Sequence, residues 1–295
     1  MNKYKIEKIL TETLYGDVLL CQTRRTQTRV AIKRIHLESA RAHVTVHDGT
    51  PVAEDAFIER AIHRRLRRAR RGSPNIVDLI QEFEENGYLH FVLNYCERDL
   101  YAVINAQGPL PLDQVERYFQ QICQGLARLH HRGFAHRDLS LENLLLNAQN
   151  ECQLTDFGLV IGTSMRSNEK VGKPFYMAPE VAARQIYDPV RADMWSLGVV
   201  LFMMLTAQPL VQIPPPDDRC FAFLQRHGLK AMIQLWDLES FVPLHMLHLL
   251  ERLLCINPEE RITMTDLLPQ ICGRKHPVFQ RFFHLFSKFK QKKRC

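Results

Sequence analysis

The chain has 295 residues, 46% of them hydrophobic and 24% charged, and carries a net charge of +7. This is the composition of an ordinary globular protein, long enough for a large single domain or two lobes with substantial cores. Its eight cysteines are scattered without a Cys-x-x-Cys pair, which speaks against a disulfide framework or zinc site and for reduced thiols in the cytoplasm or nucleus. The longest apolar run, Leu197 to Leu205, is about half of a bilayer span and reads as a buried helix. Met1 to Glu7 carries charges where a secretory leader needs an apolar run.

In chain order, residues 4–35 alternate polar and apolar side chains in short runs, as strands of an antiparallel sheet do (Tyr4-Lys5-Ile6, Val18-Leu19-Leu20, Arg29-Val30-Ala31-Ile32). Thr50-Pro51 reads as a helix entry, with a hydroxyl cap and Pro in the first turn, and Phe57, Ile58, Ala61, Ile62 and Leu66 follow at helical spacing. Two more strand-like runs lie near Ile76–Phe83 and Tyr88–Asn94. After Tyr95 the pattern turns to long helices: Leu112–His131 is amphipathic, starting near Asp113, and Ala192–Thr206 is almost wholly apolar. The expectation is an α+β chain with a β-rich lobe over 1–94, a larger helical lobe over 95–286 and a basic tail over 287–295. Pro214-Pro215-Pro216 reads as the stiffener of a surface loop between helices.

The positive charge is clustered at Arg64, Arg65, Arg67, Arg68, Arg70 and Arg71 and again from Lys288 to Arg294. Such clusters suit acidic lipid, peptide or nucleic acid, or are simply a solvated helix face and a tail. No RNA- or DNA-binding motif accompanies them, so no nucleic-acid partner is expected. The aromatic and basic run Phe279 to Lys290 reads as a last helix packed on the large lobe, with weak contact to an acidic membrane as the other reading.

The most informative segment is His136-Arg137-Asp138-Leu139-Ser140-Leu141-Glu142-Asn143, which sets a base and a metal ligand five residues apart. Asp156-Phe157-Gly158 begins twenty residues after His136, and Val30-Ala31-Ile32-Lys33 ends 105 residues before Asp138. Tyr176-Met177-Ala178-Pro179-Glu180 and Asp193-Met194-Trp195-Ser196-Leu197-Gly198 follow in order. This ordered set resembles the eukaryotic protein kinases of the serine/threonine type, over nearly the whole chain. The resemblance implies a bilobal protein kinase fold, ATP and Mg²⁺ as cofactors, and protein substrates phosphorylated on Ser or Thr.

Carried onto these residues, the resemblance implies that Lys33 holds the α- and β-phosphates and pairs with a carboxylate on the following helix. Glu59 fits best, because Ile62 and Leu66 at plus three and plus seven make that helix's apolar face, with Glu54 the second choice. Adenine is expected between Val18 and Ala31 on one side and Leu145 on the other, near Leu10, with hydrogen bonds from the backbone of Asn94 and Cys96. Leu93 takes the gatekeeper position. The phosphate-covering loop departs from the family: Leu10-Thr11-Glu12-Thr13-Leu14-Tyr15-Gly16-Asp17-Val18 keeps only the third glycine and the Val. Stiffer β-branched residues there predict looser phosphate contacts and weak ATP affinity.

Asp138 is the expected base, and Asn143 and Asp156 are hard oxygen ligands suited to Mg²⁺. Ser140 stands where the serine/threonine kinases carry Lys, and Lys173 stands where they carry Thr. The expectation is that Lys173 supplies the charge that Ser140 lacks, the other reading being two unrelated substitutions. Glu180 is expected to pair with Arg261, and Asp193 to bond the backbone of the catalytic loop. Leu79, His63, Phe157 and His136 fall in the family's regulatory spine, His63 as a core histidine with a satisfied nitrogen. Glu169 takes the position of the activating phosphothreonine and either pairs with Arg137 or is a plain solvated charge; Thr163, Ser164 and Ser167 are candidate phosphorylation sites. The rival class is a pseudokinase scaffold with a degraded nucleotide loop.

Overall fold

The computed structural model describes residues 1–67, 75–211 and 218–271. Arg68, Arg70, Arg71, Pro214 to Pro216, and the C-terminal run with its basic tail therefore lie outside the described residues. By internal packing the chain forms two units, residues 1–99 with 145–160, and residues 100–144 with 161 onward. The expected boundary at 94 thus differs from the packing in two respects: the first unit continues to Asp99, and it recruits 145–160. Backbone bonding is the reason. Val77 donates to the Leu154 carbonyl (3.0 Å) and Leu154 to that of Asn75 (2.9 Å), so the later segment is stitched to the first unit.

The first unit contains a five-stranded antiparallel sheet ordered β1-β2-β3-β5-β4. Its strands are β1 (Tyr4–Thr13), β2 (Gly16–Thr23), β3 (Arg29–His36), β4 (Leu79–Glu85) and β5 (Tyr88–Asn94). The two-residue period of β5 sends Leu89, Phe91 and Leu93 into one apolar cluster and Val92 into another with Leu19, Cys21, Val30 and Ile32. A small sheet, β6 (Arg98–Asp99), β8 (Leu144–Leu146) and β9 (Cys152–Leu154), completes the unit.

Two helices interrupt this unit. α1 (Leu37–Ala42) is short and has no counterpart in the periodicity of the sequence; His43 ends it in a left-handed conformation (φ 53°). α2 (Ala56–Arg67) buries Ala56, Glu59, Ile62, His63 and Leu66 along one stripe. Its entry corrects the Thr50-Pro51 expectation. Asp55 is the cap, its Oδ1 accepting from the backbone N–H of Phe57 (2.7 Å) and Ile58 (3.0 Å). Pro51 instead forms a bridge with Val44, and Thr50 belongs to a turn closed by Asp48. Arg64 of the basic cluster pairs with Glu82 of β4, beside Arg60, which pairs with Glu82 and Glu84, so this part of the cluster is a solvated, charge-paired face.

The second unit is mainly helical: α3 (Leu100–Gln107), α4 (Leu112–His131), α5 (Pro179–Ala182), α6 (Pro189–Thr206), α7 (Arg219–Leu235), α8 (Leu244–Leu253) and α9 (Met264–Ile271). A two-stranded pairing of β7 (Phe134–Ala135) with β10 (Ile161–Gly162) brackets the catalytic loop. α6 is long and apolar enough to cross a membrane by length and composition, yet 89% of it is buried inside the fold. It is the core helix about which the unit packs.

Candidate active site

In the first unit, β3 holds Lys33 by pairing with Val18 on one side and Phe91 on the other. The Lys33 Nζ lies 2.9 and 2.8 Å from the two carboxylate oxygens of Glu59 and 3.5 Å from Oδ1 of Asp156. Glu59 is therefore the partner, and it is buried (3% exposed) because the ammonium meets it there. Glu54 approaches Gly158, its Cγ standing 3.2 Å from where a Cβ on that glycine would be. Burial works against both charges of the pair and pushes Glu59 up. For Lys33 the attraction of Asp156 and Glu59 outweighs burial and holds the ammonium above its usual range. Two carboxylates share one ammonium, so negative charge is in excess at Asp156, an arrangement a divalent cation would balance. Asp156 also adopts a left-handed backbone (φ 65°), a strained conformation for a non-glycine residue.

Ala31, Cys96 and Leu145 pack together against the cluster that contains Leu93. Asn94 donates its N–H to the Asp78 carbonyl (3.2 Å), and burial pushes the Cys96 thiol up to about 11, which keeps it an unreactive thiol. Leu10 stands apart from this cluster, 38% exposed on β1.

The β1–β2 tip is a tight hairpin, not an open loop. Thr11 pairs with Val18, Glu12 with Asp17 and Thr13 with Gly16, leaving Leu14 and Tyr15 as the turn. Gly16 is required there, since a Cβ would stand 2.4 Å from the Arg34 carbonyl oxygen. Tyr15, a residue sequence reasoning passed over, folds inward to 3% exposure and donates its hydroxyl to the Glu54 carbonyl (2.5 Å). Burial, then the nearby Glu54, pushes this phenol up to about 12. An aromatic residue at the turn between two strands was the available signal.

In the second unit, the 3-10 turn Leu141–Asn143 returns Asn143 onto Asp138. The Asn143 Nδ2 donates to the carbonyl (2.8 Å) and to Oδ2 (2.7 Å) of Asp138, which leaves the amide oxygen as its ligating atom. Gly172 brings the activation segment, the stretch from Asp156 to Glu180 in the family pattern, against this loop. Its φ is +89°, and a Cβ would meet the Arg137 carbonyl oxygen at 2.5 Å. The next residue then donates twice to the same carboxylate: Lys173 N to Oδ1 (3.0 Å) and Lys173 Nζ to Oδ2 (3.4 Å). The same ammonium donates to the Ser140 Oγ at 2.9 Å, and Ser140 is fully buried.

Arg137, left-handed at φ 64°, pairs with Glu169 (2.7 Å), whose carboxyl is held below its ordinary value chiefly by that hydrogen bond. Ser167 Oγ lies 3.4 Å from the same guanidinium. Asp193 receives the backbone N–H of His136 and Arg137, both at 2.8 Å, and fixes the loop's course.

Two independent comparisons meet this geometry. The family profile described as Protein kinase domain matches residues 4–271. The chain belongs to the eukaryotic protein kinase family. Among curated proteins, the chain is 33% identical over 275 residues to CBL-interacting serine/threonine-protein kinase 18 of Arabidopsis thaliana, covering 91% of this chain and 49% of that protein. It is 30% identical over 271 residues to the carbon catabolite-derepressing protein kinase of Candida tropicalis, covering 91% of this chain and 40% of that protein. With CBL-interacting protein kinase 31 of Oryza sativa subsp. japonica the identity is 30% over 288 residues, 95% of this chain and 60% of that protein. The chain thus spans about half the length of these relatives.

Residues expected to be architectural in this family are paired or buried here. Arg261, 1% exposed, makes a bidentate pair with Glu180 (2.7 and 3.1 Å) and donates to the carbonyls of Cys255 and Arg191. His63 stacks edge-on to Phe157 with centroids 5.1 Å apart. It is the expected core histidine, 2% exposed, and its Nε2 has no hydrogen-bond partner among the described residues. Burial pushes this imidazole down to about 3, so it is neutral and forms no ion pair with Glu59, 3.9 Å away.

Proposed function

We propose that this chain is an ATP- and Mg²⁺-dependent protein kinase acting on Ser or Thr hydroxyls of protein substrates. Asp138 takes the substrate's hydroxyl proton and orients that oxygen toward the γ-phosphate, while Lys33, fixed by Glu59, holds the α- and β-phosphates. Asn143 and Asp156 would hold Mg²⁺ through hard oxygen atoms that suit it, and the ion would supply positive charge against the phosphates. Val18, Ala31 and Leu145 enclose adenine, and the backbone of Asn94 and Cys96 bonds it.

The observation that carries the reading is the intact Lys33–Glu59 pair with Asp156 beside it, an arrangement with an excess of negative charge. A second reading, a scaffold with feeble nucleotide binding, is favoured by the inward-folded Tyr15 and the missing glycines. One experiment decides between them: radiolabelled ATP with a generic protein substrate, wild type against Asp138→Asn. Transfer by the wild type that the variant loses supports the kinase. Transfer by neither favours the scaffold.

A further inference from the structure

The charge around Asp138 comes from an unusual direction. Among the described residues, Lys173 is the one cation paired with Asp138, and it lies on the activation segment instead of the catalytic loop. The catalytic-loop position that would carry an ammonium in the family holds Ser140, whose buried hydroxyl accepts from Lys173 Nζ at 2.9 Å. Asp138 spends Oδ1 on the Lys173 backbone N–H and Oδ2 on Asn143 and the Lys173 ammonium. Removing Lys173 therefore leaves its carboxylate without a cation, and adding a lysine at 140 would set two ammonium groups against one carboxylate.

The segment that delivers Lys173 is tied down on both sides of it. Upstream, Glu169 pairs with Arg137, the residue immediately before Asp138. Ser167 and Tyr187 exchange backbone hydrogen bonds (2.9 and 3.4 Å), and the Tyr187 hydroxyl donates to the Glu169 carbonyl (3.1 Å). Downstream, Tyr176 donates its hydroxyl to Glu142 at 3.1 Å. Between these anchors Gly172 permits the close approach to Arg137 that sets Lys173 against Asp138.

We propose that Lys173 is the catalytic cation of this site, positioned by Ser140, and that the Glu169–Arg137 pair makes its delivery conditional on an ordered activation segment. The inference rests on the protein kinase reading. During transfer the substrate oxygen bonds to the γ-phosphorus, the bond from that phosphorus to the β-bridging oxygen breaks, and the hydroxyl proton passes to Asp138. Lys173 stays protonated throughout and opposes the charge on the transferring group. A kinase with its lysine on the catalytic loop keeps that charge whatever the segment does. Here a displaced segment takes the charge away with it. Glu169, fixed in the sequence, holds the segment without a prior phosphorylation.

The test is steady-state transfer from radiolabelled ATP to a generic protein substrate, with ATP affinity by calorimetry and folding by thermal melts. Lys173→Ala is expected to lower kcat roughly 100- to 1000-fold, the scale of losing one oriented electrostatic group, with ATP affinity within about threefold of wild type. Lys173→Arg retains part of the activity. The exchange Ser140→Lys with Lys173→Thr is expected to recover kcat to within about tenfold of wild type, although each single change is worse. Glu169→Gln lowers kcat, and its effect largely disappears in a Lys173→Ala background. Additive effects of the two exchanged positions, or a folded Lys173→Ala with wild-type kcat, overturn the proposal while leaving the kinase reading standing. An inactive wild type overturns both.

Discussion

At the β1–β2 tip, two glycines of the family pattern are Thr11 and Thr13, and nothing among the described residues restores what glycine does there. Around Asp138 a lysine of the family pattern is Ser140, and an ammonium arrives from Lys173. The two departures differ in kind. A charge belongs to a point in space, and any side chain long enough to reach that point can supply it. The lack of a Cβ belongs to one residue's own backbone, and no neighbour can lend it. Gly16 and Gly172 show the second case from the other side, since a Cβ on either would strike a carbonyl oxygen at 2.4 or 2.5 Å.

The comparison breaks most visibly at Asp138 itself, the proposed base. Asp138→Asn is expected to lower kcat roughly 100- to 10,000-fold while calorimetric ATP affinity stays near that of wild type. Normal transfer by that variant would remove Asp138 from the mechanism. Next in size is the buried pair of the second unit. Arg261→Ala leaves Glu180 uncompensated, 5% exposed, and is expected to destabilise by about 3–5 kcal/mol, read as a lower midpoint in urea. A loss under 1 kcal/mol would mean that the pair is dispensable.

Gly172→Ala tests whether a backbone property is truly irreplaceable. The strained φ and the clash with Arg137 are expected to cost about 1–3 kcal/mol in stability, together with a larger fall in kcat than in ATP affinity. Equal losses in both would separate Gly172 from the placement of Lys173.

His63 gives the pH test. Its folded value near 3 lies below the ordinary 6.5, so below pH 6.5 the unfolded chain binds a proton that the fold refuses. Stability therefore falls as pH drops from about 6.5 toward 3. His63→Leu should reduce the difference in stability between pH 7.5 and pH 5 by roughly 2 kcal/mol. Parallel pH profiles for the two proteins would show His63 protonated in the fold. The smallest effect is at the hairpin tip, where Thr11→Gly with Thr13→Gly is expected to lower the Michaelis constant for ATP a few-fold. An unchanged constant would mean that the threonines do not limit phosphate contact.

Where local pattern is strong, the sequence was easily read. The alternation of Tyr88–Asn94 and the amphipathic stretch Leu112–His131 recur as β5 and α4 at the same bounds. Pattern failed where two local signals compete: Thr50-Pro51 has the form of a helix entry, yet Asp55 caps α2 and Pro51 joins a bridge to Val44. It was also silent for α1, six residues too short to show a period. At the candidate site, Lys33, Asp138, Asn143 and Asp156 stand out in the sequence because the family's chemistry ties residue type to order along the chain. Tyr15 is not, because an aromatic residue at a turn has no preferred direction until it finds a core to enter.

Chain order alone determined which candidate groups this protein owns: Asp138, Asn143, Asp156 and Lys33, with Ser140 and Lys173 standing where the family carries Lys and Thr. Only the tertiary structure decided that Lys173 Nζ stands between Asp138 and Ser140, and that Glu59, not Glu54, meets Lys33. The reason is distance. Electrostatic contacts act across a few ångströms of space, while the residues that make them are separated by 26 to 35 positions of chain. Nothing short of the folded backbone, with Gly172 yielding its side chain, brings them within reach.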